Sequence, residues 1–126
     1  MNKYLFFVLV IFGLSSCTVK DERYYRSNPR ALQAALKLCP EQAPTGLTCQ
    51  QLEQIAIPLN SLGHQLQYNP QEFGAKILKL QETIAQQKAQ LAKNTQDKDL
   101  EKQLQENTND LAERMAVVKW LESPES

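Results

Sequence analysis

Apolar side chains fall in successive blocks along this chain, and the spacing changes from block to block. From Tyr4 to Leu14 they run almost without interruption. Further on they recur at intervals of three and four, which places them on one face of a helix. In "NPRALQAALKLCP" the face is Leu32, Ala35, Leu36 and Cys39; Asn28 is positioned to cap, Pro29 to open the helix and Pro40 to end it. After "PEQAPTGLT", Thr48 and Gln51 have the spacing of a capping box, and the stripe Leu52, Ile55, Ala56, Leu59, Leu62, Leu66 follows. Pro58 lies within that stripe and predicts a kink or a break near Ile57. "YNPQEF" repeats the start signal: Asn69 caps, Pro70 opens, Glu72 reaches back, and Tyr68 is set to staple onto Phe73.

Phe73, Ile77, Leu80, Ile84 and Leu91 then follow the a/d pattern of a coiled coil. The pattern lapses in residues 92–99, where Thr95 or Asp97 can cap a fresh helix. It resumes at Leu100, Leu104, Leu111, Met115 and Val118 and closes with Trp120 and Leu121. This predicts two antiparallel helices joined by a short turn, in preference to one long coiled-coil-like helix with a stutter. Gln87 and Asn107 fall on the seam, which favours packing within the chain over a long homodimeric rod. No stretch after the first block alternates with period two, glycine is scarce, and Gln, Leu, Ala, Lys and Glu favour helix. The expected fold is all-α: a small bundle with an N-terminal helical hairpin and a C-terminal antiparallel helical hairpin.

The first block changes the setting. Its eleven mostly apolar residues, Tyr4 to Leu14, are too few to span a bilayer, which takes about 20. Lys3 precedes the block and small residues follow it, the order of a secretory signal. Leu14-Ser15-Ser16-Cys17 resembles the bacterial lipobox, in which the cysteine becomes the first residue after cleavage and carries diacylglycerol and an acyl chain. That resemblance implies a signal peptide over residues 1–16, a single mature helical domain over 17–126 with 17–27 as a membrane-proximal linker, and covalent lipid on Cys17. The protein is then held in the cell envelope, facing the periplasm. Thr18 stands where an Asp would favour inner-membrane retention, so the outer membrane is favoured.

Charge and cysteine content narrow the chemistry further. Without Lys3, the 14 Lys and Arg become 13, against 14 Asp and Glu, so no basic excess points to nucleic acid. With Cys17 taken by lipid, Cys39 and Cys49 form an even remainder in an oxidising compartment and read as one disulfide. It would clasp the end of the first helix to the start of the second. Two thiols and one distant histidine supply no four-ligand metal set. His64 has no identifiable nucleophile or orienting carboxylate beside it and reads as a partly exposed helix histidine. Neither a catalytic constellation nor a small-molecule substrate is indicated, and beyond the lipid no cofactor is expected. Tyr24 and Tyr25 either lie at the membrane interface or pack on the first helix, and they are the candidate partner-binding pair. Arg23, Arg26 and Arg30 form a small basic cluster, read as a solvated face ahead of a headgroup contact. Trp120 reads as a core or interface anchor.

Taken together, the lipobox, the aromatic pair before Asn-Pro in "YYRSNP", the leucine-rich helix and the two cysteines around a proline-containing loop resemble the small entry-exclusion lipoproteins of conjugative elements. The residues that carry the likeness are Tyr24, Tyr25, Asn28, Pro29, Leu36, Cys39, Pro40 and Cys49, within about residues 1–50. Gln50 and Gln51 depart from the small or Asn residues usual after the second cysteine, and the helical stretch beyond them has no counterpart in the short family members. The resemblance implies a protein that blocks redundant conjugative transfer by contacting the incoming transfer apparatus. The other expectation is a non-enzymatic lipoprotein that assembles or stabilises an envelope secretion complex, with residues 71–121 docking on a partner.

Overall fold

The computed structural model describes residues 20–43 and 46–122; Cys17 and the signal segment lie outside the described residues. The described chain is helical, with α1 at Glu22–Ser27, α2 at Pro29–Lys37, α3 at Cys49–Tyr68, α4 at Pro70–Lys93 and α5 at Lys98–Glu122. Among these residues there is no strand and no helix long and apolar enough to cross a membrane.

The starts of the three long helices follow local hydrogen bonding. Thr48 and Gln51 form the reciprocal capping box, with Gln51 N donating to Thr48 Oγ1 at 3.1 Å and Thr48 N to Gln51 Oε1 at 2.8 Å. Asn69 Oδ1 accepts from Glu72 N at 3.1 Å, and Pro70 occupies the first turn where its missing N–H costs nothing. Of the two candidate caps after residue 92, Asp97 does the capping: its carboxylate accepts from Leu100 N at 3.1 Å.

Four local expectations are corrected. Residues 22–27 are not linker but the helix α1, capped by Asp21, whose Oδ1 accepts from Tyr24 N at 3.0 Å. Six residues are too few for a stable isolated helix, so packing rather than propensity holds α1. Asn28 opens α2 without a side-chain cap; its amide instead donates to Tyr24 O at 2.8 Å and closes α1. Of the kink or break expected near Ile57, the break does not occur: α3 runs from Cys49 to Tyr68 with Pro58 inside it. The carbonyl deprived of its donor belongs to Gln54, at an exposed position where water can satisfy it. Tyr68, 93% exposed, does not staple onto Phe73, which is buried under the Arg114 guanidinium with 5.2 Å between Cζ and the ring centroid.

One core runs through the molecule. Tyr25 of α1 and Leu32 of α2 meet the α3 stripe of Leu52, Ile55, Ala56, Leu59, Leu62 and Leu66, with Phe73 and Val117 closing the cluster. Helix α5 touches each of the other four helices, so its C-terminal half acts as the brace. The brace comes close to α3 at Gly63: a β-carbon there would stand 3.4 Å from Leu121 Cδ1 and 3.8 Å from Trp120 Cζ3.

Beyond the core, α4 and α5 have only each other as neighbours among the described residues. Pairing of Gln87 with Asn107, and of Phe73 with Arg114, sets later positions of one helix against earlier positions of the other. The two seam amides satisfy one another, Asn107 Nδ2 donating to Gln87 Oε1 at 3.1 Å. Met115, expected on the seam, is 47% exposed, whereas Val117 is fully buried. The C-terminal turns of α5 also face α1, α2 and α3, which turns a different stripe inward from the one a two-helix seam would use.

Candidate functional site

The residues singled out by sequence gather at the end of the molecule where the described chain begins. Cys39 and Cys49 are bonded, with Cα atoms 6.0 Å apart across a separation of ten residues. The bond ties the end of α2 to the first residue of α3. Both half-cystines are half-buried, and Cys39 packs against the core cluster.

The tyrosine pair divides. Its rings meet edge to face, with centroids 5.2 Å apart and planes at 81°. Tyr25 is 4% exposed and belongs to the core, so it offers no surface to a partner. Tyr24 is half-buried and lines a shallow groove of about 380 Å³ with Ala31, Ala34, Ala35 and Leu38. Lys20 stands over the Tyr24 ring, Nζ 5.9 Å from its centroid.

The arginine cluster divides as well. Arg26 binds inward: Nε and Nη2 donate to Glu22 Oε1 at 2.9 and 2.6 Å, and Nη1 donates to Glu113 Oε1 at 2.8 Å. The Glu22 hydrogen bond, reinforced by Glu113, raises the Arg26 pKa against the opposing effect of burial. Arg30 Nη2 donates to Trp120 O at 3.3 Å. Two of the three arginines therefore fasten α1 and α2 to α5, and Arg23 remains exposed. A broader polar cleft of about 820 Å³ is lined by Arg23 and Arg26 of α1 together with Gln105, Asn109 and Glu113 of α5.

Several of these partners carried no local signal. Glu113 lies 87 positions from Arg26, and only the fold brings them together. Arg114 binds Asp110 at 2.9 Å and covers Phe73, yet its buried Nη1 finds no acceptor among the described residues. His64 is exposed on α3, and Trp120 is half-buried beside Gly63. Among the described residues no three or more His, Cys, Asp or Glu side chains gather as a metal site. What this end of the molecule presents is a pair of surfaces: an apolar groove on one side of α1 and a charged cleft on the other. Comparison of the chain with protein-family models, with curated proteins and with solved structures gives no match.

Proposed function

We propose that this chain is a lipid-anchored bacterial envelope protein that blocks redundant conjugative transfer by contacting the incoming transfer apparatus. The observation that carries the reading is spatial. Tyr24, Pro29, Leu36 and the Cys39–Cys49 bond, which carry the sequence likeness, belong to one braced unit starting close after Cys17. The reading is non-enzymatic: recognition is by surface contact, the lipid on Cys17 is the only added group, and the anchor faces the periplasm, preferentially from the outer membrane. Anchoring raises the local concentration of the recognition surface at the membrane the apparatus must reach. Of the pair, Tyr24, not the buried Tyr25, is the residue whose loss should disturb this contact.

Expression in a recipient cell tests this directly. Acquisition of the cognate element should fall while unrelated elements enter at the control rate. Cys17→Ser should remove both fatty-acid label and protection. Tyr24→Ala should remove protection while leaving lipidation and the disulfide in place. Cognate acquisition at the control rate, in cells holding abundant anchored protein, would overturn the exclusion role.

A second reading has its own support. Leu78 of α4 and Met115 of α5 are 68% and 47% exposed, large apolar side chains left in solvent on the two long helices. They suit a lipoprotein that docks these helices on a partner while assembling or stabilising an envelope secretion complex. Photocrosslinkers at positions 78 and 115 that capture a secretion component, in cells lacking any mating function, would favour this role over exclusion.

A further inference from the structure

The groove beside α1 lies where the described chain begins, and its lining differs from that of the cleft on the other side. Tyr24, Ala34, Ala35 and Leu38 form its apolar part, with Gln42 at one edge and Lys20 as the only charged residue among the described residues that line it. Among the described residues no carboxylate lines it, whereas Asp21, Glu22 and Glu113 line the opposite cleft. Leu38 is 54% exposed, a large apolar side chain at the surface. Apolar surface rimmed by a cation, with an amphipathic ring beside it, suits the boundary between headgroups and hydrocarbon.

Chain length selects the occupant. Lys20 is three residues beyond Cys17, and three residues span at most about 10 Å when fully extended. If Cys17 carries lipid, the groove is leashed within that distance of the bilayer surface. An acyl chain withdrawn into so open a groove would exchange hydrocarbon for partial exposure to water. The anchor's own chains therefore stay in the membrane, and the groove meets the membrane surface.

We propose that the α1–α2 face lies against the bilayer holding Cys17, with Tyr24 and Leu38 at headgroup level and Lys20 among the phosphates. This rests on the anchoring of Cys17 but not on conjugative exclusion. It directs the charged cleft and the α4–α5 extension to partners, and leaves the α1–α2 face to lipid.

The test uses the full lipidated protein in vesicles of phosphatidylethanolamine and phosphatidylglycerol that hold no other protein. A nitroxide goes on Ala34→Cys, at an exposed position of α2, and in a second sample on Gln86→Cys, at an exposed position of α4. Flotation reports anchoring, and collision with oxygen and with a water-soluble nickel complex reports depth. The label at 34 should show several-fold less nickel collision and more oxygen collision than the label at 86. Adding Leu38→Glu, a change at an exposed site, should restore nickel access at 34 without loss of flotation. Protein that fails to float overturns the anchor and this inference with it. Protein that floats with position 34 as open to nickel as position 86 overturns the docking face alone, as does Leu38→Glu without effect.

Discussion

The base of the molecule and its two-helix extension are built from the same residue types yet are held together differently. In the base, one face of α3 is covered by α1, α2 and the proximal parts of α4 and α5, and Leu32, Leu52, Leu59 and Val117 lose essentially all contact with water. In the extension, α4 and α5 each face one partner. Ile84 and Gln87 are buried there, while Leu80, Leu91, Leu100 and Leu104 stay half-exposed. A helix with one neighbour hides a narrow seam, whereas α3, with several neighbours along one face, buries the full stripe from Leu52 to Leu66 and keeps its opposite face in solvent. Stability is therefore concentrated in the base, and the extension keeps apolar surface that a partner can cover.

The largest expected effect breaks the base. Leu59→Ala leaves a cavity among side chains that cannot easily collapse and should cost towards the upper end of about 2–5 kcal/mol. Ile84→Ala, between two helices that can close up, should cost towards the lower end. Denaturant midpoints measure both, and equal losses would refute the contrast. The disulfide comes next. Converting Cys39 and Cys49 together to Ala should lower stability by about 2–5 kcal/mol, since the bond closes a loop in a small domain. Before reduction, both thiols should resist alkylation. Native-state hydrogen exchange should then show α3 amides opening only with global unfolding, and α4–α5 amides beyond Ile84 opening at lower free energy.

The seam amides give an effect of either sign. Gln87→Leu alone strands Asn107 and should cost about 1–3 kcal/mol. Leu at both positions should be near neutral or stabilising, and should bring self-association by removing the polar pair that favours a single register. Sedimentation of the double variant checks this; a monomer with unchanged stability would mean the pair sets nothing. The smallest effect is at Gly74, where an added β-carbon meets nothing within 4 Å. Gly74→Ala should stabilise by about 0.5–1 kcal/mol through helix propensity, read as a small rise in melting temperature.

Much of the fold was legible because its signals are local. Thr48 with Gln51, Asn69 with Glu72, and Asp97 with Leu100 are capping pairs three residues apart, so the chain need only form one turn to make them. The α3 stripe was legible because all its members turn inward against a surrounding core. The candidate site was legible in part: Cys39, Cys49 and Tyr24 could be named, but not the groove or the inward-facing arginines.

By itself, then, the sequence determined an all-helical chain, the starts of its three long helices, the α3 stripe and the pairing of the two cysteines. The tertiary structure alone decided that α1 is a helix, that Tyr25 is inside while Tyr68 is out, and that Val117 is buried in place of Met115. It also decided that Arg26 meets Glu113 and that Gln87 meets Asn107. Caps and periodicity act over one or two turns, where the chain supplies both partners. Which face turns inward depends on residues as far as 90 positions away, and those meet only when the helices pack.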